Sequence, residues 1–182
     1  MTKTYHNLQD ALDNPLDVLI LEMSMNTRIS MGLHELESLP RVIGLFQNLE
    51  KLNLDGNQLT SLPKEIGQLQ KLRVLNLAGN QFTSLPKEIG QLQKLEALNL
   101  DHNRFTIFPK EIRQQQSLKW LRLSGDQLKT LPKEILLLQN LQVLRLYSNS
   151  FSLKEKQKIQ ELLPNCEIDF ESEGKSESSL TE

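Results

Sequence analysis

The sequence predicts an α/β solenoid with a curved parallel sheet on its concave side, short helices on its convex side, and a cap at each end. The first observation is the pattern L-x-x-L-x-L-x-x-N, whose successive copies start 23 residues apart. Its leucines alternate with polar residues, which is typical of a strand that buries one face. The apolar residues behind each strand are spaced by four and three, which is typical of a short helical turn. A single unit of this kind cannot bury its leucines, so we expect the units to stack.

The apolar columns of the repeat stay in register from one unit to the next. In the first unit Leu52 and Leu54 belong to the strand, and Leu62, Ile66 and Leu69 belong to the helical turn. The five copies start at Leu49, Leu72, Leu95, Leu118 and Leu141. Neighbouring strands should therefore lie side by side, about 4.8 Å apart. The helical segments are wider than the strands, so the stack should bend with the sheet on its concave side.

A column of asparagines follows the strands. Its members are Asn57, Asn80, Asn103 and Asn149, and Asp126 stands in their place in the fourth unit. An amide carries both donors and acceptors, so it can satisfy backbone groups in the turn after each strand. We therefore predict a structural asparagine ladder, in which the rung at Asp126 lacks the donors of the others.

The repeat resembles the leucine-rich-repeat family over residues 26–170, and in particular the 23-residue-repeat proteins of pathogenic leptospires. The resemblance rests on L-P-K-E-I-G-Q-L-Q-K-L, which starts at Leu62 and again at Leu85, and on the segments 5–18 and 151–166. It implies a binding scaffold, and many such relatives carry an export signal and are thought to meet host proteins. This chain differs in having no recognisable export signal and in a lengthened first coil.

The first 25 residues are predicted to form an N-terminal cap. Leu8 and Leu12 are four apart and precede Asn14-Pro15, which predicts a short helix ending there. Residues 18–23 have the composition of a strand. The repeat frame, carried back to a degenerate unit at residue 26, leaves few residues before the next strand. A parallel connection needs a dozen residues or more, so we predict that the capping strand is antiparallel.

The remaining chain divides into repeats, a second cap and a tail. Residues 26–151 are predicted to hold one degenerate, four regular and one partial repeat. Residues 152–170 form the C-terminal cap, because Ser152 and Glu155 make a capping-box signature in front of a helix. Alternating residues then predict a last strand: Cys166, Ile168 and Phe170. Residues 171–182 are rich in serine and glutamate, which predicts a disordered tail.

Composition excludes several classes of partner. The chain has 182 residues and a net charge of −2, which argues against nucleic acid or an acidic membrane surface as a partner. Residues 1–10 are polar, and the apolar stretch after Leu16 is too short for an export signal or a membrane span. We therefore expect a soluble monomer in the cytoplasm, with secretion by a non-classical route as the alternative.

The sequence offers little for catalysis or metal binding. His6, His34 and His102 fall in unrelated places and make no metal-ligand spacing with Cys166. Phosphate-binding, dinucleotide-binding and nucleophile-elbow motifs are absent from the sequence. The frame places no nucleophile beside Asp101 and His102. We expect no catalytic residue, no metal and no cofactor, and hence no enzyme.

The strand frame does place a cluster of aromatic and arginine side chains on the concave face. These residue types anchor interfaces more often than others. The predicted partner-binding residues are Trp120, Arg122, Arg145, Tyr147, Asp101, His102 and Val143. We predict a protein-binding scaffold, and a glycan or peptidoglycan binder on the same face is the alternative. A third hypothesis is an inert member of a repeat family, with Trp120 simply stacking on Arg122 or Lys119.

Overall fold

One sheet of eight short parallel strands, arranged in chain order, runs the length of the molecule. The computed structural model describes residues 4–31 and 34–171. The strands are β1 (Thr4–Tyr5), β2 (Ile20–Glu22), β3 (Lys51–Asn53), β4 (Val74–Asn76), β5 (Ala97–Asn99), β6 (Trp120–Arg122), β7 (Val143–Arg145) and β8 (Glu167–Asp169). From β3 to β7 each residue pairs with the residue 23 positions later. The sheet is open and parallel, so the predicted α/β solenoid is confirmed.

The middle residue of each regular strand points into the core. These residues are Leu52, Leu75, Leu98, Leu121 and Leu144, each at most 1 % exposed. Because side chains alternate along a strand, the first and third residues of each strand lie on the opposite, concave face. The 23-residue register therefore turns sequence columns into rows of adjacent side chains on that face.

The convex side consists of short 3₁₀ helices, one in each coil. Their ranges are Arg41–Leu45, Lys64–Gln68, Lys87–Gln91, Lys110–Gln114 and Lys133–Leu137. Each is preceded by a proline, whose ring fixes φ near the value that Pro63 shows, −67°. Each also buries one isoleucine, as Ile66 does at 0 % exposure. The predicted short helical turns are thus 3₁₀ helices, which suit pieces of only five residues.

The prediction of an antiparallel N-terminal strand is wrong. β2 pairs with β3 in parallel, with Ile20 opposite Lys51. The start of the degenerate unit predicted from residue 26 instead forms helix α2 (Met25–Ser30), because the Ser24 side chain accepts a hydrogen bond from the Thr27 N–H and caps it. The strand that follows β2 is therefore β3, and residues 23–50 are long enough for a parallel crossover.

The two caps extend the same sheet. At the start, β1 is followed by helix α1 (Leu8–Leu12) and a 3₁₀ helix (Pro15–Asp17), and β1 pairs with β2. At the end, Ser152 caps helix α3 (Leu153–Leu162) by accepting a hydrogen bond from the Glu155 N–H at 3.2 Å. β8 then pairs with β7. The predicted disordered tail lies outside the described residues, apart from residue 171.

Candidate binding surface on the concave face

A shallow groove runs along the concave face, from β2 to β6. Two rows of side chains form its floor, one from the first and one from the third residue of each strand. The floor residues are Ile20, Lys51, Val74, Ala97 and Trp120 in the first row and Glu22, Asn53, Asn76, Asn99 and Arg122 in the second. From β4 to β6 the first row is apolar, with Val74, Ala97 and Trp120, and the second row beside it is polar.

The asparagines of the polar row are held in one orientation. The Oδ1 atoms of Asn53, Asn76 and Asn99 accept hydrogen bonds from the backbone N–H two residues later, at 3.0, 3.1 and 3.0 Å. The Nδ2 atom of Asn53 donates to Glu22 at 2.9 Å. Among the described residues, the Nδ2 atoms of Asn76 and Asn99 have no partner, so two fixed amide donors line the groove. Sequence reasoning did not select these residues as site residues, although their repetition at 23-residue spacing was the available signal.

Three of the predicted site residues form one network. The Arg122 Nε donates to Asp101 Oδ2 at 2.6 Å, and its Nη2 donates to the Tyr147 hydroxyl at 3.2 Å. The other oxygen of Asp101 accepts a hydrogen bond from the Ser124 N–H at 2.7 Å. Burial disfavours the charge on Arg122, but Asp101 and the bond to Tyr147 outweigh it, and the pKa of the guanidinium is raised. Asp101 is 2 % exposed, so it holds Arg122 in place from below the surface.

Arg145 belongs to a different network, at the C-terminal cap. Its Nη1 lies 2.8 Å from the Glu167 carboxylate and 3.7 Å from that of Asp169, both on β8. The two arginines are register neighbours, but each has its own acidic partners. The cluster predicted as one unit is therefore two ion-paired groups side by side.

Trp120 and Val143 continue the apolar row and face each other in register. The Lys119 Nζ lies 5.8 Å from the centroid of the Trp120 ring. The same ammonium pairs with Glu96 at 3.1 Å, and Glu96 pairs with Arg73 at 2.8 Å. The stacking on Lys119 that we considered from the sequence is thus present, as part of a charged rim. Trp120 remains partly exposed at the end of the groove.

His102 occupies a turn position, at the edge of this surface. Its φ is 55°, a left-handed conformation that glycine holds at the same place in three other coils. Its ring lies against Gly125 in the next coil. Asp101 is engaged with Arg122, so Asp101 and His102 do not form an acid–base pair.

The remaining candidate for chemistry is the single cysteine. Burial, followed by the charge of Glu167, raises the pKa of the Cys166 thiol to about 11. It is therefore a protonated thiol at neutral pH, whereas nucleophilic cysteines have lowered pKa values. Within residues 4–31 and 34–171, no group of three or more His, Cys, Asp and Glu side chains is arranged to hold a metal ion.

One protein family matches this chain over most of its length. A family described as "Leucine-rich repeat region" matches residues 16–165. Comparison with curated proteins returns no match. In the part of the chain that the structure describes, no helix has the length and apolar character needed to cross a membrane.

Proposed function

Because the chain belongs to the leucine-rich-repeat family, whose domains generally mediate protein–protein interaction, we propose that it is a non-catalytic scaffold that binds a protein partner in the concave groove. The groove itself is the observation that carries this proposal. It sets the apolar row of Val74, Ala97 and Trp120 beside the fixed amide donors of Asn76 and Asn99. Interface cores combine apolar anchors with a few oriented polar groups in this way.

The predicted site residues have different roles in this proposal. Trp120 and Val143 are apolar anchors, and the Tyr147 hydroxyl and Arg122 guanidinium are polar anchors at the C-terminal end of the groove. Asp101 positions Arg122 through the 2.6 Å ion pair and does not contact the partner. Arg122 keeps its charge and a fixed direction, which favours recognition of carbonyl or carboxylate oxygens. Arg145 and His102 border the contact area.

The non-catalytic part of the proposal rests on how the polar groups are paired. The buried carboxylate of Asp101 is bound by Arg122 and by a backbone N–H, which removes it from general-base chemistry. Glu96 is held between Arg73 and Lys119. Burial, the largest single effect, raises the pKa of its carboxyl, but the two cations together outweigh burial and the pKa is lowered. Glu96 therefore lacks the shift towards neutrality that suits an acid or base for catalysis near pH 7.

The resemblance to the repeat proteins of pathogenic leptospires suggests the kind of partner. We place the chain among those proteins and propose a host or signalling protein as the occupant of the groove. The two copies of L-P-K-E-I-G-Q-L-Q-K-L, which start at Leu62 and Leu85, support this placement, because the resemblance rests on them. Fractionation of the source cells and their medium distinguishes a cytoplasmic protein from one secreted by a non-classical route.

Proximity labelling in the native cell tests the proposal. The full chain, fused to a labelling enzyme, is compared with Trp120→Ala in the groove and with Leu136→Ala on the convex side, where Leu136 is 46 % exposed. The proposal expects a defined protein neighbour that is lost with Trp120→Ala and kept with Leu136→Ala. Equal labelling by all three chains would refute the groove as the binding site. The unfolding midpoint of each variant controls for folding.

A glycan array separates the protein partner from the alternative ligand. Both ligands would use Trp120, because an aromatic face stacks on a sugar ring as well as on an apolar side chain. Tight binding of a glycan that is abolished by Trp120→Ala would contradict the proposal of a protein partner. We expect no such binding.

A further inference from the structure

The asparagine ladder follows one bonding pattern, which Asn80 illustrates. Its Oδ1 accepts a hydrogen bond from the Leu59 N–H at 3.0 Å. Its Nδ2 donates to the carbonyl oxygens of Leu54, Leu77 and Ala78, at 2.9, 3.1 and 2.9 Å. Asn103 and Asn149 bind the equivalent backbone groups of their own and the preceding coil, and the predicted ladder is present in the structure. Each amide thus joins two neighbouring coils through both ends of its side chain.

Asp126 makes only the accepting half of this pattern. Its Oδ1 accepts a hydrogen bond from the Phe105 N–H at 2.9 Å, as the asparagine Oδ1 atoms do in their coils. Its Oδ2 occupies the place of the amide nitrogen, and it is buried with no hydrogen-bond partner among the described residues. The residue is 6 % exposed, so solvent has little access to this oxygen. A buried carboxylate oxygen without a donor is costly, which calls for an explanation.

The neighbouring carbonyl groups show which bonds are missing. The carbonyl oxygens of Leu54 and Leu77 each accept two hydrogen bonds from ladder amides. Those of Leu100 and Leu123 each accept only one, at 2.9 and 2.6 Å. By the spacing of the ladder, the second bond in each case is the one that a donor at Asp126 would make. Two carbonyl oxygens therefore face the unpartnered Oδ2, and an ionised carboxylate would be repelled by both.

The charged groups near this rung also disfavour a second negative charge. On the preceding coil, the charge of the buried Asp101 carboxylate acts on Asp126 and is repulsive. On the same coil, Arg122 is bound to Asp101 and to Tyr147 of the next coil, so its charge is already compensated. The His102 ring lies against Gly125, at the outer side of the turn.

The electrostatics agree with the missing bonds. Burial is the largest cause and raises the pKa of the Asp126 carboxyl to about 7. The N–H of Phe105 lowers the pKa, the charge of Asp101 raises it, and the N–H of Asn103 lowers it by a smaller amount. Arg145, the other cation of the concave face, pairs with the carboxylates of β8 and is not among the groups that act on Asp126.

We propose that Asp126 enters the ladder as a neutral carboxylic acid, whose Oδ2 hydroxyl donates a hydrogen bond to the carbonyl oxygen of Leu100 or Leu123. This coil thus binds a proton where the other coils carry an amide. When the O–H bond breaks, the proton passes to water, and the remaining carboxylate faces two carbonyl oxygens at close range. The rung then repels the backbone it should hold. The contribution of this proton to the junction between the third and fourth regular coils is therefore complete below about pH 4, falls as the pH rises towards the folded pKa of about 7, and is lost above it.

The carboxyl groups themselves report the protonation state. In the full chain labelled with ¹³C at aspartate carboxyls, Asp126→Asn identifies the Asp126 signal by its loss. We expect this signal to titrate in the folded protein more than two pH units above the ordinary aspartate midpoint of about 3.9. A midpoint within one unit of the ordinary value would overturn the proposal.

Two further variants test the geometry separately. Asn103→Asp, made in the Asp126→Asn chain, moves the carboxyl to the previous rung and should move the high titration midpoint with it. An ordinary midpoint in that folded variant would show that the ladder position does not hold the proton.

The Ser124 hydroxyl is also buried without a partner, and it could donate to an ionised Asp126 instead. Ser124→Ala should leave the midpoint unchanged, whereas a rise from a low value would refute the neutral acid.

Discussion

Replacing Leu75 with alanine probes the stacked core at the centre of the regular coils. Leu75 is 0 % exposed and is paired in register with Leu52 on one side and Leu98 on the other. Both neighbours sit on strands that hydrogen bonds fix to β4. The surrounding side chains therefore have little freedom to move into the space that the truncation leaves.

The magnitude follows from this restricted relaxation. Truncation of a buried leucine to alanine costs about 2–5 kcal/mol, and the cost rises with the volume of cavity that remains. Because leucines on fixed strands flank Leu75, we expect the upper part of this range, about 3–5 kcal/mol. At a urea dependence of about 2 kcal/mol per molar, the midpoint should fall by about 1.5–2.5 M.

Equilibrium urea unfolding measures this shift, with Leu136→Ala as the matched control. The control makes the same chemical change at a site on the convex surface that is 46 % exposed, so its effect should stay below about 1 kcal/mol. The denaturant dependence of the wild type and both variants should agree, which indicates one cooperative unit. An unchanged midpoint for Leu75→Ala, or equal shifts for both variants, would refute the assignment of the core column.

Three other substitutions test the turns between coils. Asp126→Asn should increase the free energy of unfolding by at most about 4 kcal/mol above pH 7, since the folded pKa of about 7 lies above the unfolded value. This gain should vanish below about pH 4, where both states are protonated, and grow between those values; a gain independent of pH would contradict the account. Asn80→Ala should lower the free energy of unfolding by about 2 kcal/mol or more, because it leaves buried backbone groups unbonded, and urea titration measures it. Gly125→Ala should lower the Tm, because a φ of 71° is strained for alanine and its Cβ would clash with the His102 ring. Adding His102→Ala should recover part of that loss, and no recovery would argue against the contact.

The regular coils could be predicted from the sequence because their signal repeats. A strand of three residues gives almost no local signal, but the same alternation at Leu52, Leu75 and Leu98 fixes the frame by register. The asparagine column could be predicted for the same reason, since each amide meets the same backbone groups. The 3₁₀ form of the convex helices could not, because apolar spacing alone does not distinguish it from a single turn of α-helix.

The first coil could not be predicted because its repeat breaks. Ser24 caps a helix over Met25–Ser30, a local interaction that outweighs the weak match of this segment to the strand frame. The repeat frame does not extend into this segment. The connection between β2 and the next strand, β3, is therefore longer than the frame predicts, and the strand is parallel. The lengthened coil noted in the sequence was the signal that a different connection was present.

The pairing within the candidate site also lies beyond sequence columns. Register places Arg122 beside Arg145, but whether they act together depends on which acids they reach. Arg122 pairs with Asp101, in the turn after β5. Arg145 pairs with acids on β8, a strand of the C-terminal cap that the repeat frame does not include. Likewise, the sequence cannot show that the Asp126 Oδ2 lacks a hydrogen-bond donor, because that depends on burial and on which neighbouring carbonyl groups are already bonded.

Photo-crosslinking from chosen positions tests the central claim, that the concave groove is the binding surface. A photoreactive amino acid replaces Val74 in the groove or Lys110 on the convex side, and the chains are irradiated in their native cells. The account predicts a discrete protein adduct from position 74 that disappears when Trp120→Ala is added, and no such adduct from position 110. The same adduct from both positions, or an adduct from position 110 alone, would contradict it.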